Sequence, residues 1–196
     1  MNLVLVEAGG TNIGSVRYAL QRLGMDAPLT SDAETIRRAD KVILPGVGAA
    51  APGMARLHEA GLVHVLRELQ QPVLGVCLGM QLLFEHSEEG DTDCLGVIPG
   101  KVTKMRGDAS LRVPHMGWNR LEVCMGDPLV ADLADDAHAY FVHSYAAPMS
   151  SATLASSTHG GAFSAIVRHR NFCGMQFHPE RSAAVGSQLL KNFLAL

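Results

Sequence analysis

The sequence predicts an α/β protein: an open, mostly parallel, doubly wound sheet with helices on both faces and antiparallel additions in the C-terminal half. Three observations predict it. The first half alternates short aliphatic runs with segments of helical spacing, the second half is a series of short β-branched or aromatic runs, and the chain closes on an amphipathic helical pattern. Such alternation is how a parallel sheet covered on both sides is written in sequence.

The elements follow in order. "NLVLVE" (residues 2–7) is an aliphatic run suited to a buried parallel strand. A Gly-rich turn leads into "TNIGSVRYALQRLG", with Thr11 or Asn12 as N-cap and Gly24 as the stop. "KVILPG" (residues 41–46) is a second buried strand that breaks at Pro45. "LPGVGAAAPGM" then places Gly46, Gly48 and Gly53 in a loop. "GLVHVLRELQ" has helical spacing at Leu62, Val65, Leu66 and Leu69. "PVLGV" is a third strand with Cys77 at its carboxyl end, and "LGMQLLFE" reads as the helix after it. Beyond it, "KVTKM", "NRLEV", "AYFVHSYA", "ATLASST", "FSAIVRH" and "FCGMQFH" read as strands, and "AAVGSQLLKNFLAL" as the last helix.

Composition excludes several classes. At 196 residues the chain fits a single domain, 1–196, able to build a core without metal or disulfide staples. With 47% apolar and 18% charged residues it is an ordinary globular composition, not a disordered one. A net charge of -3 gives no footprint for nucleic acid or an anionic membrane. The N-terminus lacks a basic segment and Glu7 interrupts its apolar run, so no signal peptide is expected. The apolar run around Cys77 falls short of the roughly 20 residues that cross a bilayer. The four cysteines form no CxxC pair and read as free thiols in a cytoplasmic protein. No metal spacing such as HExxH occurs, and no cofactor is expected.

The stretch "PVLGVCLGMQLLF" carries the chemistry. Ligands of open α/β sheets bind beyond the carboxyl ends of the strands, where Cys77 sits between Gly75 and Gly79. Small neighbours around a nucleophile at a strand-to-helix turn suit an elbow, and the start of a helix favours a thiolate. The backbone N–H of Leu78 would then face the oxyanion. Taken alone, the stretch also reads as an inert core cysteine. "MQFHPERS" supplies a base: His178 and Glu180, two apart in an extended segment, point the same way. Taken alone, it also reads as a surface turn. The "PGVG" loop can offer N–H groups to an anion, or be a plain connection.

Together, "GVCLGMQLLF", "FHPE" about a hundred residues later and "PGVG" ahead of both resemble the class I, triad glutamine amidotransferases. "VPHMGWN" and "YFVHSY" resemble the branch of that family that serves imidazole glycerol phosphate synthesis. The resemblance spans the whole chain and implies a glutaminase with Cys77 as nucleophile, His178 as general base and acid, and Glu180 orienting the ring. It implies an oxyanion hole from the N–H groups of Leu78 and Val47. Gly48, Gln81, Glu89, His143, Ser144 and Tyr145 would hold the α-amino and α-carboxylate groups of glutamine. It further implies a heterodimer with a separate cyclase subunit whose (β/α)8 barrel receives the ammonia through an enclosed channel. Met116, Trp118 and Asn119 would lie at that interface, with Asn12 and Arg181 as further candidates; core packing for Trp118 and a plain solvent-facing role for Asn12 and Arg181 stay open. An aspartate is more usual in the family at Glu7. A sister amidotransferase with another acceptor and a redox sensor on the same scaffold are the competing readings.

Overall fold

The computed structural model describes residues 1–7, 13–107, 109 and 111–196, with the backbone alone for Ile13. In chain order the N-terminal half contains β1 (Leu3–Val6), α1 (Ile13–Arg22), β2 (Leu29–Thr30), α2 (Ala33–Arg38), β3 (Lys41–Gly46), α3 (Ala50–Glu59), α4 (Leu62–Glu68), β4 (Val73–Cys77) and α5 (Leu78–Leu82). Strands β5 (Phe84–Ser87), β6 (Thr92–Asp93), β7 (Ile98–Lys104), β8 (His115–Arg120), β9 (Glu122–Val123), β10 (His138–His143) and β11 (Tyr145–Ala146) follow. The chain ends with β12 (Thr153–Thr158), β13 (Ala162–His169), β14 (Phe172–Met175) and α6 (Ala183–Ala195).

The main sheet has the order β2-β1-β3-β4-β14-β13-β12-β9. Pairing is parallel from β2 to β14 and antiparallel from there to β9. Alternation within each central strand explains why, Lys41 at the start of β3 apart, they are continuous apolar runs. Val4 and Val6 of β1, with Val42 and Leu44 of β3, face one cluster that includes residues of α2, α3, α4 and α5. Leu3, Leu5 and Ile43 face the opposite cluster, with residues of α1 and α6. Side chains of a strand alternate between faces, so a strand covered on both sides needs apolar residues at every position. The doubly wound sheet with antiparallel C-terminal additions is therefore the architecture the sequence calls for.

Several elements differ from expectation. The helix after Cys77 stops at Leu82 instead of running through Glu85, because Phe84 pairs with Ile98 and opens a side sheet of order β11-β7-β5-β6. Gly53 is not in a loop: it lies inside α3 and packs on Leu78 and Leu82. The loop after β3 is therefore short, residues 47–49. "AYFVHSYA" divides at Ser144 between two sheets, β10 pairing with β8 and β11 with β7. The expected N-caps Thr11 and Asn12 lie outside the described residues.

One close approach fixes the start of α5. A Cβ on Gly79 would fall inside the backbone carbonyl of Leu44, and one on Gly75 would meet the Gly79 carbonyl at 2.6 Å. The helix therefore rests directly on the backbone of β3 and β4.

Candidate active site

Cys77 is both the last residue of β4 and the N-cap of α5, with φ 55 and ψ -112. A positive φ is uncommon for a non-glycine residue and clusters at functional turns. The sulfur is nearly buried, 8% exposed for the residue, and lies 4.0 Å from the Val142 carbonyl. β3 and β4 run parallel with Gly46 opposite Cys77, so the chain leaving β3, Val47 and Gly48, emerges beside the thiol.

His178 follows β14, the strand on the other side of β4. Its Nδ1 lies 2.9 Å from Glu180 Oε1, and both side chains are buried. The geometry differs from the expected extended segment. His178 is extended, as the residue before a proline should be, but Pro179–Arg181 forms a 3-10 turn. Pro179 has the φ that starts such a turn. The turn closes through Arg181 N–H to His178 O at 3.0 Å, and Ser182 Oγ donates to the same carbonyl at 2.7 Å. The turn, not strand alternation, brings the carboxylate back to the ring.

Burial works against a charge on His178, but the neighbouring Cys77 and Glu180 outweigh it and raise its pKa to about 10. The ring thus carries its proton at neutral pH. The sign of the stability effect follows: it is fully present below the ordinary value of 6.5 and is lost as pH rises through about 10. Both neighbours favour the charged ring, so Cys77→Ala and Glu180→Gln are each expected to lower the His178 pKa. Nitrogen NMR titration of the ring checks this, and an unchanged value in either variant would refute it.

A cavity of about 280 Å³ opens at Cys77 and His178. Val47, Gly48, Leu78, Gln81, Glu89, His143, Ser144 and Tyr145 line it, joined by Pro114 and Val142. Every residue expected to hold substrate or oxyanion thus reaches one cavity. Gln81 Nε2 donates to Tyr145 O and to Gln176 Oε1, each at 2.9 Å, so both amide hydrogens are spent and its oxygen is the group left for a ligand. Glu89 Oε2 accepts the Ala50 N–H at 2.9 Å and so caps α3, whose N-cap Ala49 has no side-chain acceptor.

The interface candidates divide. Met116 and Trp118 are exposed, at 64% and 54%, on the outer face of β8, which settles Trp118 as a surface residue. Trp118 meets Tyr140 edge-on, and the Arg181 guanidinium lies 4.3 Å over the Tyr140 ring. Asn119 is half-buried and faces inward with buried His115, while Asn12 lies outside the described residues. In sequence "PHMGWN" reads as one block; the period of two along a strand is the signal that separates its faces. A buried histidine cluster has no such signal in the sequence. His115 Nδ1 lies 3.0 Å from His143 Nε2, and the His159 ring stacks on His115 at 4.2 Å. Burial, then neighbouring histidines, pull His115 down to about 3; burial likewise pulls His143 to about 4.

All four cysteines are free thiols. Among the described residues no His, Cys, Asp and Glu group could hold a metal ion.

The family model for glutamine amidotransferase class I matches residues 4–196. The imidazole glycerol phosphate synthase subunit HisH of Xylella fastidiosa is 56% identical over 194 residues, 99% of this chain and 97% of that protein. The protein of the same name from Xanthomonas axonopodis pv. citri is 56% identical over 195 residues, covering 100% and 98%. Among solved structures, a glutamine amidotransferase superposes with a TM-score of 0.76 at 21% identity, covering 100% of this chain and 98% of that one. The PurLQS structure from Thermotoga maritima gives 0.72 at 16% identity, covering 100% and 99%.

Proposed function

The chain belongs to the glutamine amidotransferase class I family, and we propose that it is the glutaminase subunit of imidazole glycerol phosphate synthase in histidine biosynthesis. Cys77, His178 and Glu180 form its triad, and residues 1–196 work as one glutaminase unit. The observation that carries this reading is the elbow at Cys77, with the His178–Glu180 pair, on the rim of the 280 Å³ cavity. That volume is at the small end of ligand sites, which suits an amino acid better than a nucleotide.

The reaction runs in two halves. The Cys77 sulfur attacks the side-chain amide carbon of glutamine, and the oxyanion is held by the N–H groups of Leu78 and Val47. His178, protonated at neutral pH, gives its proton to the amide nitrogen as the C–N bond breaks. Ammonia leaves and a glutamyl thioester remains. His178, now neutral, takes a proton from water as the oxygen attacks the thioester; glutamate departs and the sulfur is regenerated with the imidazolium. Glu180 fixes the ring tautomer and steadies the charge throughout. The Gln81 oxygen and Glu89 accept from the α-ammonium, while Gly48 and the 143–145 segment hold the α-carboxylate.

The ammonia passes to the cyclase, a (β/α)8 barrel, which makes imidazole glycerol phosphate and an aminoimidazole carboxamide ribonucleotide. Met116, Trp118 and Arg181 form the apolar and cationic docking face, with Asn119 behind it; exposed aromatics beside an arginine are typical interface anchors. We assign the heterodimer to the cytoplasm; among the described residues no helix is long and apolar enough to cross a membrane.

Glutamate release tests the reading: near silence is expected from the chain alone, and a strong rise with the cyclase in the presence of its nucleotide ligand. Full activity alone, unchanged by the cyclase, would sink the partner assignment and leave an amidotransferase with another acceptor.

A further inference from the structure

Behind the exposed residues of β8 runs an unbroken line of hydrogen bonds. Asn119 Nδ2 donates to the Thr158 carbonyl at 2.9 Å and to His115 Nε2 at 3.2 Å, while its Oδ1 accepts from the Arg120 N–H at 2.8 Å. The amide orientation is thereby forced, and His115 Nε2 must be an acceptor. The neutral ring then holds its hydrogen on Nδ1, which points at His143 Nε2. From the far end the result is the same. Tyr145 O can only accept, so His143 Nδ1, 2.8 Å away, is the donor and His143 Nε2 the acceptor. Both rings are thus fixed in one tautomer from either side.

The line ends in the cavity. Tyr145 O accepts from His143 and from Gln81 Nε2, which uses both of its lone pairs and fixes the backbone of the substrate-holding segment against Gln81. β8 and β10 pair His115 directly with His143, so the contact is built into the ribbon register. Phe141 stacks on His115 at 4.9 Å and His159 covers another side.

We infer that His115, with its tautomer set by Asn119, is a positioning residue for glutamine: through His143 it fixes the Tyr145 carbonyl and the Gln81 side chain. This rests on the assignment of the cavity to glutamine. Burial keeps both rings neutral; the charged or titratable groups facing them are His143 and His159 for His115, and His159 and His178 for His143. The line therefore does not switch in the physiological range. It is a brace, and it lies on the inner face of the strand whose outer face presents Met116 and Trp118.

The test uses the complex with the cyclase in the presence of its nucleotide ligand. His115→Phe keeps a stacked ring but has nothing to donate to His143. It is expected to raise the KM for glutamine about fivefold to tenfold, the scale of one lost neutral hydrogen bond, with kcat within about twofold because the triad is untouched. His115→Asn, whose amide nitrogen takes the place of Nδ1, is expected to restore KM. An unchanged KM in His115→Phe, or a rise that His115→Asn does not repair, overturns the inference. If the Phe variant does not fold, nitrogen NMR of the unsubstituted chain decides. Both rings should show a hydrogen on Nδ1 at pH 7 and no titration above pH 5; a ring protonating near 6.5 overturns the inference. The ring measurement needs no turnover, so a failure of the glutaminase reading would be seen separately, as absent glutamate release by the unsubstituted complex.

Discussion

Cys77→Ala is expected to abolish glutamine-dependent synthesis by the complex, a fall of about 10⁴- to 10⁶-fold, the scale on which nucleophile deletions act in other triad enzymes. Synthesis from added ammonium salt is expected to persist, because the cyclase needs only the free amine. The other thiols cannot substitute. Cys94 and Cys173 are buried and pushed up to about 11 and about 12, chiefly by burial, and neither lines the cavity. Ser144 does line it, but it lies between β10 and β11 and not at the turn into α5. Parallel assays of glutamate release and of ammonia-dependent product formation check the result. Glutamate release retained at more than about a hundredth would remove Cys77 from the reaction.

Gly79→Ala is expected to be the most damaging single substitution to the fold, at about 4 kcal/mol or more, a range reached only when something must be displaced. The new Cβ would meet the Leu44 carbonyl, which is backbone of a central buried strand and has no side-chain freedom with which to yield. Moving α5 away would also lift Cys77 from its place against β3. Since whole domains are stable by about 5–15 kcal/mol, much of the native state would be lost. Gly126→Ala, where nothing lies within 4 Å of the new atom, is the control and is expected to change stability by less than about 0.5 kcal/mol. Urea denaturation of both variants gives the comparison; equal midpoints would refute the packing argument.

The parallel half of the fold was readable because each central strand, Lys41 at the start of β3 apart, is a continuous apolar run and each covering helix has its own period. The side sheet was not. "LLFEHS" can continue a helix or begin a strand, and the choice falls to strand because Ile98 offers Phe84 a partner that no local pattern reveals. Likewise His178 and Glu180 could be paired from their spacing, yet the 3-10 turn that joins them depends on Ser182 and Tyr140, which bond the turn from outside. Glu89 lies in none of the quoted motifs and came only with the family resemblance, but most cavity residues were legible through them. The histidine brace was not, since His115 and His143 meet only through the register of β8 and β10.

Glu89 faces the cavity while one of its oxygens holds the first N–H of α3, just after the loop that carries Val47 and Gly48. A carboxylate that answers to both a ligand and a helix start cannot serve them independently. If Glu89 takes the α-ammonium as proposed, any rearrangement of that loop which loosens the Ala50 contact changes the charge density offered to it, and an ammonium drawn to Glu89 weakens its hold on the helix. On that assignment occupancy and loop posture are thermodynamically linked, and the coupling is reciprocal: a partner that reshaped the loop would alter the affinity for glutamine, and glutamine would alter the affinity for that partner by the same factor.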